Sequence, residues 1–137
     1  MIQVLDASVV VKWFVDEAGH EQSIEILDQV VSGPRRFAVP DLIWYELTHV
    51  LGRVTEDQAT VRERLHRVML LGIPCFTATA ERCLEAMRLA ARIGLAGYDA
   101  HYVVLASELG GRWVTFDRKA AAIIRPRSRV RLLRADG

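Results

Sequence analysis

The sequence contains few cysteines, and their spacing gives no sign of a covalent or zinc-bound framework. Only two occur among its 137 residues, Cys75 and Cys83, eight positions apart and outside any Cys-x-x-Cys pattern. A small disulfide-stapled domain or a structural zinc site needs more cysteines at closer spacing. We therefore expect both to be small buried residues in a reducing compartment.

The sequence also lacks an excess of charge of either sign and a long apolar run. Its 18 lysines and arginines nearly match its 17 aspartates and glutamates, so net charge identifies no binding partner. The N-terminal stretch MIQVLDASVVVKWFVDE has no basic leader or small-residue cleavage site, and Asp6 and Lys12 interrupt its apolar residues. This stretch is neither a signal peptide nor a membrane span, which leads us to expect a cytoplasmic protein.

What the chain does contain is an alternation of short apolar runs with longer runs of helical periodicity. No repeat, low-complexity segment or long linker divides it, so residues 1–137 are expected to form one domain. The short runs predict strands and the longer ones predict helices. The predicted strands cover 2–5, 37–39, 73–76, 113–116 and 130–133. The predicted helices cover 20–31, a segment from Asp41 through Leu51, 56–71, 80–93, 98–109 and 118–124.

This alternation predicts the α/β fold class. The strands are too apolar to have a water-facing side, which indicates a central parallel sheet of about four to five strands covered by helices on both faces. The result is a three-layer sandwich whose strand order the spacing leaves open. Two helix starts carry cap signals, namely Asp41 ahead of its helix and Thr55 with Gln58 as a capping box for 56–71.

Four acidic residues occupy positions that lead to one edge of such a sheet. Functional groups gather beyond the carboxyl ends of parallel strands. Asp6 follows the first predicted strand, and Asp117 follows the strand-like run WVTF. Glu46 lies one to two turns into the helix after FAVP, and Asp99 lies in the first turn of its helix. All four side chains can therefore project toward the same edge.

Each acid also has a local structural explanation when it is considered alone. Asp6 and Asp117 can cap the segments that follow them, and Asp99 suits the positive end of a helix dipole. Glu46 borders an apolar helix face and is harder to explain as a solvated residue. Two carboxylates about 4 Å apart repel by roughly 4 kcal/mol at an effective dielectric near 20, so four together need a cation. Hard divalent ions take oxygen ligands, and we interpret the set as a Mg²⁺- or Mn²⁺-binding carboxylate site.

A carboxylate site of this kind is suited to phosphodiester cleavage. A bound ion lowers the pKa of a water molecule, orients it toward phosphorus and neutralises charge on the leaving oxygen. Ser8 and Thr115, close in sequence to Asp6 and Asp117, offer hydroxyls that could hold a metal-bound water. Capping of the local backbone is an equally good explanation for both hydroxyls.

Three segments carry a resemblance to a known family: VLDASVVVKWF, VPDLIWYELTHVL and GYDAHYVVLASELGGRWVTFDRKAA. They resemble PIN domains, specifically the VapC-type toxin ribonucleases of type II toxin–antitoxin systems, from Ile2 to about Ala122. The resemblance implies a PIN-like sandwich and a metal-dependent endoribonuclease with Mg²⁺ or Mn²⁺. It also implies RNA as substrate, a homodimer, and inhibition by a VapB-like antitoxin.

The same resemblance implies roles for the four acids. Asp6 and Asp99 match the usual metal ligands, and Glu46 and Asp117 complete the catalytic set, with Asp117 also counted as a metal ligand. One position departs from the family, because relatives often have Asn three residues after the second acid and this chain has His49. His49 could hydrogen-bond Glu46 or contact substrate, although base rates for helical histidines favour a half-buried packing residue.

Basic residues in the last quarter of the chain suggest a way to bind RNA phosphates. Arg118 and Lys119 directly follow Asp117 at a helix start and are the stronger candidates for substrate contact, with Lys12 a weaker one. Further along, RPRSRVRLLR contains arginines two positions apart, which share one face if the segment is extended. Such a row predicts either a phosphate-binding surface or an edge strand protected by charge. These arginines are Arg125, Arg127, Arg129 and Arg131.

Two adjacent aromatic pairs, Trp13–Phe14 and Trp44–Tyr45, indicate possible surfaces for a partner. Bases could stack on them, but such residues belong more often to a core or a protein interface. Each pair leaves one member facing outward. We expect a protein partner there, either the second copy in a dimer or an antitoxin helix in a groove.

Two alternatives to the nuclease keep some of the same features. A catalytically silent PIN-like module that binds RNA or protein would retain the fold, although the presence of all four acids argues against it. A phosphoacceptor or phosphatase would use Asp6 as nucleophile. The haloacid-dehalogenase pattern for that chemistry has a second Asp two positions later, where this chain has Ser8.

Overall fold

Strands and helices alternate along the chain in a computed structural model that describes residues 1–55 and 57–135. Within that part of the chain the strands are β1 (Gln3–Leu5), β2 (Phe37–Pro40), β3 (Cys75–Phe76), β4 (Arg112–Thr115) and β5 (Val130–Leu132). The α-helices are α1 (Ala7–Val11), α2 (His20–Ser32), α3 (Leu42–Val54), α4 (Gln58–Met69), α5 (Ala80–Ile93), α6 (Gly97–Glu108) and α7 (Arg118–Ile123). Short 3₁₀ turns occupy 34–36 and 127–129. Every predicted strand and helix is present, and α1 is a further element that the sequence pattern did not predict.

The five strands form one parallel sheet in the order β3-β2-β1-β4-β5. The chain starts at the centre with β1, moves outward through β2 to β3, and then crosses to the other side for β4 and β5. The shared carboxyl edge of β1 and β4 is therefore the switch point where parallel sheets place functional groups. Leu5 pairs with Val114, so the two strands end side by side.

The helices cover the sheet and divide into two groups by their contacts. α6 packs against β1, β2 and β4 with α5 alongside it, whereas α1 packs against β4 and α3, and α3 contacts β2 and α4. Val4, Leu5, Trp113 and Val114 are completely buried, as expected for strands covered on both faces. None of the helices in residues 1–55 and 57–135 has the length and apolar character of a membrane span. The predicted α/β three-layer sandwich is confirmed.

A glycine allows the close approach of the chain segments that begin β1 and β4. A Cβ at Gly111 would lie 2.1 Å from the carbonyl oxygen of Ile2, so no larger residue fits there without moving the backbone. The adjacent Arg112 donates its backbone N–H to that same oxygen over 3.0 Å. Gly111 therefore helps to fix the register that brings the ends of the two strands together.

The two predicted helix caps are wrong. Asp41 precedes α3, but its backbone is already helical and its side chain makes no capping hydrogen bond within the described helix. α4 is capped by Asp57, whose side chain accepts a backbone N–H two residues later at 3.0 Å. Thr55 Oγ1 instead accepts a hydrogen bond from Arg64 at 2.9 Å. Glu56, inside the predicted helix 56–71, lies outside the described residues.

The prediction that the cysteines are buried is also wrong, because both are exposed. Cys75 lies in β3, a two-residue strand at one edge of the sheet. An edge strand this short is covered by few neighbours. Cys83 lies on α5, a helix with only Ala86 buried among its described side chains. An outer helix leaves most of its side chains in solvent.

The arginines near the end of the chain do not form an extended row as predicted. Residues 127–129 form a 3₁₀ turn, so strand geometry starts only at β5. The guanidinium groups of Arg127 and Arg129 instead donate to backbone carbonyls, including those of Ala121 and Gly111. β5 is the outer strand of the sheet, which agrees with the alternative prediction of a basic edge strand.

Candidate active site

Asp6 connects the centre of the sheet to α1, and its side chain accepts three hydrogen bonds. It is only 8% exposed, and its backbone N–H donates to the Val114 carbonyl of β4 at 3.0 Å. Its Oδ2 accepts from the Ser8 N–H at 3.3 Å, from the Ser8 hydroxyl at 2.6 Å and from the Thr115 hydroxyl at 3.1 Å. All three donors use the same oxygen, which leaves Oδ1 open to another ligand.

Thr115 links two of the predicted acids through one hydroxyl. It is completely buried, and its Oγ1 donates to Asp6 and accepts from the Asp117 N–H at 3.0 Å. The hydroxyl of Ser8 accepts from the Phe116 N–H at 3.3 Å. The two hydroxyls therefore tie the end of β1 to the end of β4. Both hydroxyls thus contact the backbone, as the capping explanation predicts. That either hydroxyl holds a metal-bound water stays a prediction.

Asp117 is both a helix cap and a member of the acidic cluster. Its Oδ1 accepts from the Ala120 N–H at 3.0 Å, which caps α7 as predicted. The side chain is exposed at the end of β4, and its charge raises the pKa of Asp6 and of Asp99. The capping oxygen is engaged with backbone, so the other carboxylate oxygen, Oδ2, is the one available to the site.

Glu46 reaches the site from α3 and is bound by a tyrosine that the sequence analysis did not select. Glu46 is half-buried beside the fully buried Ile43 and Leu47 of the same helix. The hydroxyl of Tyr102, itself completely buried, donates to Glu46 Oε1 at 2.6 Å. A signal for Tyr102 was available, because it lies three residues after Asp99 and therefore on the same face of α6.

Asp99, in the first turn of α6, has the clearest electrostatic signature of the four. Its pKa is raised to about 6, first by burial and then by the negative charges of Asp6, Asp117 and Glu46. The negative charges of the other three acids therefore all act on the carboxylate of Asp99. The prediction that the four acids converge on one edge of the sheet is therefore supported by their charges as well as by the topology.

The pKa values of Asp6 and Glu46 are also raised. Burial raises the pKa of Asp6 more than the hydrogen bonds from Ser8 and Thr115 lower it. Burial also raises the pKa of Glu46, against the lowering effect of its hydrogen bond from Tyr102. The ion pairs found in the described part of the chain involve none of the four acids. Their mutual repulsion is thus left without a protein cation to offset it.

The donor chemistry fits a hydrated hard cation better than a closed metal cage. Within residues 1–55 and 57–135, no group of three or more His, Cys, Asp or Glu side chains is arranged to hold an ion. Mg²⁺ usually binds through one or two carboxylates and keeps several of its waters. Asp6 and Asp99 fit such an ion, since Asp6 has an open Oδ1 and the carboxylate of Asp99 is repelled by the other three acids.

The predicted substrate-binding residues differ in whether their side chains are exposed or already engaged in an ion pair. Arg118 and Lys119 are exposed on the first turn of α7, directly after Asp117. Lys12 is engaged, with its Nζ 2.9 Å from Glu17 Oε1 and 5.0 Å from the centroid of the Phe116 ring. Arg118 and Lys119 therefore remain the stronger candidates.

His49 departs from the expected packing role. Its side chain is exposed, so the half-buried interpretation is wrong. No hydrogen bond between His49 and Glu46 occurs among those of the described residues. A contact with substrate is the part of the prediction that still stands for this residue.

The aromatic pairs each have one more exposed member, as predicted. Trp13 is buried, and its Nε1 donates to the Ser23 carbonyl at 2.8 Å, while Phe14 is half-buried. Trp44 is half-buried, and Tyr45 is 72% exposed. Tyr45 is therefore available for the predicted contact with a protein, whereas Phe14 packs against the core with the Arg64 guanidinium 5.5 Å from its ring centroid.

Comparisons with known proteins agree with the fold. Residues 4–125 match the PIN domain family. The chain is 32% identical over 126 residues to Ribonuclease VapC3 from Pyrobaculum aerophilum, with 86% of this chain and 91% of that protein covered. All four acids, from Asp6 to Asp117, lie within the matched range.

Solved structures share the fold at lower identity. VapC20 from Mycobacterium tuberculosis, described as a sarcin-ricin loop cleaving toxin, has a TM-score of 0.73 at 16% identity, over 93% of this chain and 98% of that one. A toxin–antitoxin complex from Klebsiella pneumoniae has a TM-score of 0.67 at 17% identity, over 94% of this chain and 95% of that one. Identities this low support likeness of fold alone. Because the family match spans most of its length and a relative is 32% identical, the chain belongs to the PIN domain family.

Proposed function

We propose that this protein is a metal-dependent endoribonuclease, the toxin of a VapBC-type toxin–antitoxin pair, built as a single PIN domain over residues 1–137. The observation that carries the proposal is the meeting of four carboxylates at the β1–β4 edge, where three of them raise the pKa of Asp99. Membership of the PIN domain family and the likeness to Ribonuclease VapC3 support an RNA-cleaving reaction. Unneutralised charge of this kind is costly to a fold unless a cation offsets it.

In the proposed site, some residues bind the cation and others position or deprotonate the attacking water. Mg²⁺ or Mn²⁺, when bound, supplies Lewis-acid activation of water and neutralises charge that develops at the phosphate. We assign the cation to Asp6 and Asp99, with Asp117 as a third carboxylate. Ser8 and Thr115 orient Asp6 by occupying its Oδ2. Glu46 completes the set, and its Oε2, not used by Tyr102, is the candidate acceptor for a proton of the water.

Basic side chains beside the acids are the proposed contacts for the RNA backbone. Arg118 and Lys119 directly follow Asp117 and are exposed at the same edge of the sheet. Contacts from such residues to phosphate weaken as salt concentration rises, without selecting a base sequence. Lys12 and His49 are secondary candidates, because Lys12 is paired with Glu17 and His49 is exposed one turn from Glu46.

A VapB-like antitoxin and a second copy of the chain are the proposed protein partners. Support for the antitoxin comes from the toxin–antitoxin complex of Klebsiella pneumoniae, which shares the fold. Tyr45 is an exposed aromatic residue of the kind that protein interfaces use, and Phe14 is a half-buried one. A ribonuclease held in check in this way acts on cellular RNA, and we place this protein in the cytoplasm.

The proposal is tested by inducing the protein in a bacterial host and mapping new RNA ends, with Asp99→Asn as the matched control. We expect growth arrest and new ends with the native sequence and neither with Asp99→Asn. Purified protein should cut RNA with Mg²⁺ or Mn²⁺ and stop when EDTA is added. Growth arrest without new ends would contradict the nuclease. RNA binding without cleavage in either metal would favour the silent module instead.

A further inference from the structure

The hydroxyl of Tyr102 has one hydrogen-bonding partner in the described residues, and that partner is a proposed catalytic carboxylate. The donor oxygen lies 2.6 Å from Glu46 Oε1. This length is typical of a hydroxyl bound to an ionised carboxylate, which is stronger than a bond between neutral groups. A carboxylate can only accept, so the phenol must be the donor.

The position of Tyr102 is itself tightly fixed. Its side chain is completely buried, and its ring stacks on that of Trp113 in β4 with centroids 6.1 Å apart. Buried aromatic rings stacked in this way have little freedom to change rotamer. The hydroxyl is therefore held at a constant point in the site, whether or not a cation is present.

Glu46 has more freedom than the other buried acid of the cluster. Asp6 is fixed by three hydrogen bonds to one oxygen, whereas the hydrogen bond that fixes Glu46 in the described structure is the one from Tyr102. A glutamate has one more rotatable bond than an aspartate and loses more rotamer freedom when it is ordered. Without the phenol, Glu46 can swing toward solvent from its place on α3.

The hydrogen bond also selects which oxygen of Glu46 is free. With Oε1 engaged by Tyr102, Oε2 is the atom left for water or a cation. Tyr102 lies one turn after Asp99 on α6, so a single helix carries both a proposed metal ligand and the donor that orients the acid from α3. The position of Glu46 relative to Asp99 therefore depends on α6, which carries both Asp99 and Tyr102.

We propose that Tyr102 is a positioning residue, whose hydroxyl holds Glu46 in the orientation that RNA cleavage requires without itself contacting the cation or the RNA. This inference rests on the proposed nuclease function. Removal of a hydrogen-bond partner that orients a metal-site carboxylate typically lowers metal affinity or activity 10- to 100-fold. Because Glu46 is assigned to the water and not to the cation, the role of Tyr102 should be visible in turnover rather than in metal affinity.

Tyr102→Phe tests the proposal, because it removes one oxygen and keeps the ring on Trp113. With total bacterial RNA as substrate, we expect kcat to fall about 10-fold or more while KM for RNA changes little. Mn²⁺ affinity, measured by electron paramagnetic resonance of the free ion, should change little, because the assigned cation ligands are all retained. Tyr98→Phe is the matched control, since it removes an exposed hydroxyl from the same helix and should leave both kcat and Mn²⁺ affinity unchanged.

A double-mutant cycle separates positioning from a general structural effect. If Tyr102 acts through Glu46, then Tyr102→Phe should have no further effect on kcat in a Glu46→Gln background. Equal effects in both backgrounds would overturn the proposal, as would a Tyr102→Phe protein that matches the wild type. A wild-type protein that neither binds Mn²⁺ nor cuts RNA would overturn the nuclease function and this inference together. The two failures can be told apart, because the first is seen with the wild-type protein alone and the second only in the variants.

A second measurement keeps the test decisive if Tyr102→Phe does not fold. Protein labelled with 3-fluorotyrosine reports on the hydroxyl by ¹⁹F resonance while every side chain stays in place. Addition of Mg²⁺ and the Glu46→Gln substitution should each shift the buried Tyr102 resonance, but not that of Tyr98. A Tyr102 resonance that responds to neither change would overturn the proposal.

Discussion

At the scale of single residues, one buried hydroxyl joins the two strand ends that carry the site. Thr115 donates to Asp6 and accepts from the Asp117 N–H. Removal of a buried hydrogen-bonding group leaves its partners unsatisfied at a cost of about 1–3 kcal/mol. Because both partners are proposed metal-site residues, the loss should affect the reaction as well as the fold.

We predict that Thr115→Val lowers the free energy of unfolding by about 1–3 kcal/mol and reduces RNA cleavage about 10- to 100-fold. Valine has nearly the same shape but cannot hydrogen-bond. Urea unfolding and the initial rate of cleavage with Mg²⁺ measure the two effects. Thr48→Val is the control, since Thr48 is an exposed residue of α3 whose hydroxyl bonds only the Trp44 carbonyl of its own helix. Similar behaviour of the two variants would argue against a special role for Thr115.

The raised pKa of Asp99 predicts an unusual dependence of stability on pH. Its pKa is about 6 in the folded protein against an ordinary value of 3.8, so the folded state binds this proton more tightly than the unfolded state does. Between these two values the contribution of Asp99 to stability must therefore decrease as pH rises. Because Asp99 is only half-buried, solvent screening reduces the size of this contribution.

We predict that metal-free wild-type protein loses stability relative to Asp99→Asn from about pH 4 to pH 6. Thermal unfolding of both proteins in EDTA across that range measures the difference. Above pH 6 Asp99→Asn should be more stable than the wild type, because the amide carries no charge to be repelled. An equal pH dependence of the two proteins through this window would show that Asp99 does not share a site with the other acids.

The site residues that could be predicted from the sequence are those marked by their immediate neighbours in the chain. The one that was missed is marked only by a contact with a distant element. Asp6, Asp99 and Asp117 stand at element ends, where a charge is visible beside an apolar run. Tyr102 lies inside a helix face that reads as ordinary packing, and only its contact with Glu46 from a distant element shows its use. The burial predicted for Cys75 failed for a similar reason, because exposure depends on which strand becomes the edge of the sheet.

At the scale of elements, the junction of β1 and β4 depends on close approach at a glycine. A Cβ at Gly111 would come within 2.1 Å of the Ile2 carbonyl oxygen, far inside any tolerable contact. The same carbonyl accepts the hydrogen bond from Arg112 that begins the pairing of the two strands. A shift there propagates along the ladder toward Asp6.

We predict that Gly111→Ala destabilises the protein by about 1–3 kcal/mol or more, as overpacking in a core does. Gly52→Ala is the matched control. It lies on the exposed side of α3, and an added Cβ there meets nothing within 4 Å. Alanine at that helical position should stabilise by roughly 0.5–1 kcal/mol. Chemical unfolding of both variants gives the comparison, and equal stability would contradict the close approach of the two strands.

The strands were predictable as elements because each is a short apolar run bounded by a turn or an acid. Their order was not, since it depends on packing between helices that are distant in sequence. α1 is only five residues long and follows Asp6 directly, so it shows no periodicity of its own. The arginines of residues 125–131 alternate as in a strand, yet residues 127–129 form a 3₁₀ turn in which Arg127 and Arg129 donate to backbone carbonyls.

At the scale of the whole molecule, the acidic cluster should couple metal binding to folding. The four carboxylates form no ion pair among the described residues, and burial raises the pKa of Asp6, Glu46 and Asp99, which disfavours their charged forms. A cation that binds the folded state alone stabilises it, by about 2.7 kcal/mol at 100 times its dissociation constant. The unfolded chain separates these acids and offers no comparable site.

We therefore predict that Mg²⁺ or Mn²⁺ raises the Tm of the wild-type protein by several degrees at pH 7.5, and that EDTA reverses the change. The increase should shrink in Asp6→Asn and in Asp99→Asn, because each removes one proposed ligand and also part of the repulsion. Asp28→Asn, a change at an exposed acid of α2, should keep the full response and serves as the control for general salt effects. Calcium at the same concentration tests selectivity, since it prefers more oxygen ligands than two or three carboxylates supply. An equal rise in Tm for all variants would mean that the ion binds elsewhere, and the acids would then need another explanation.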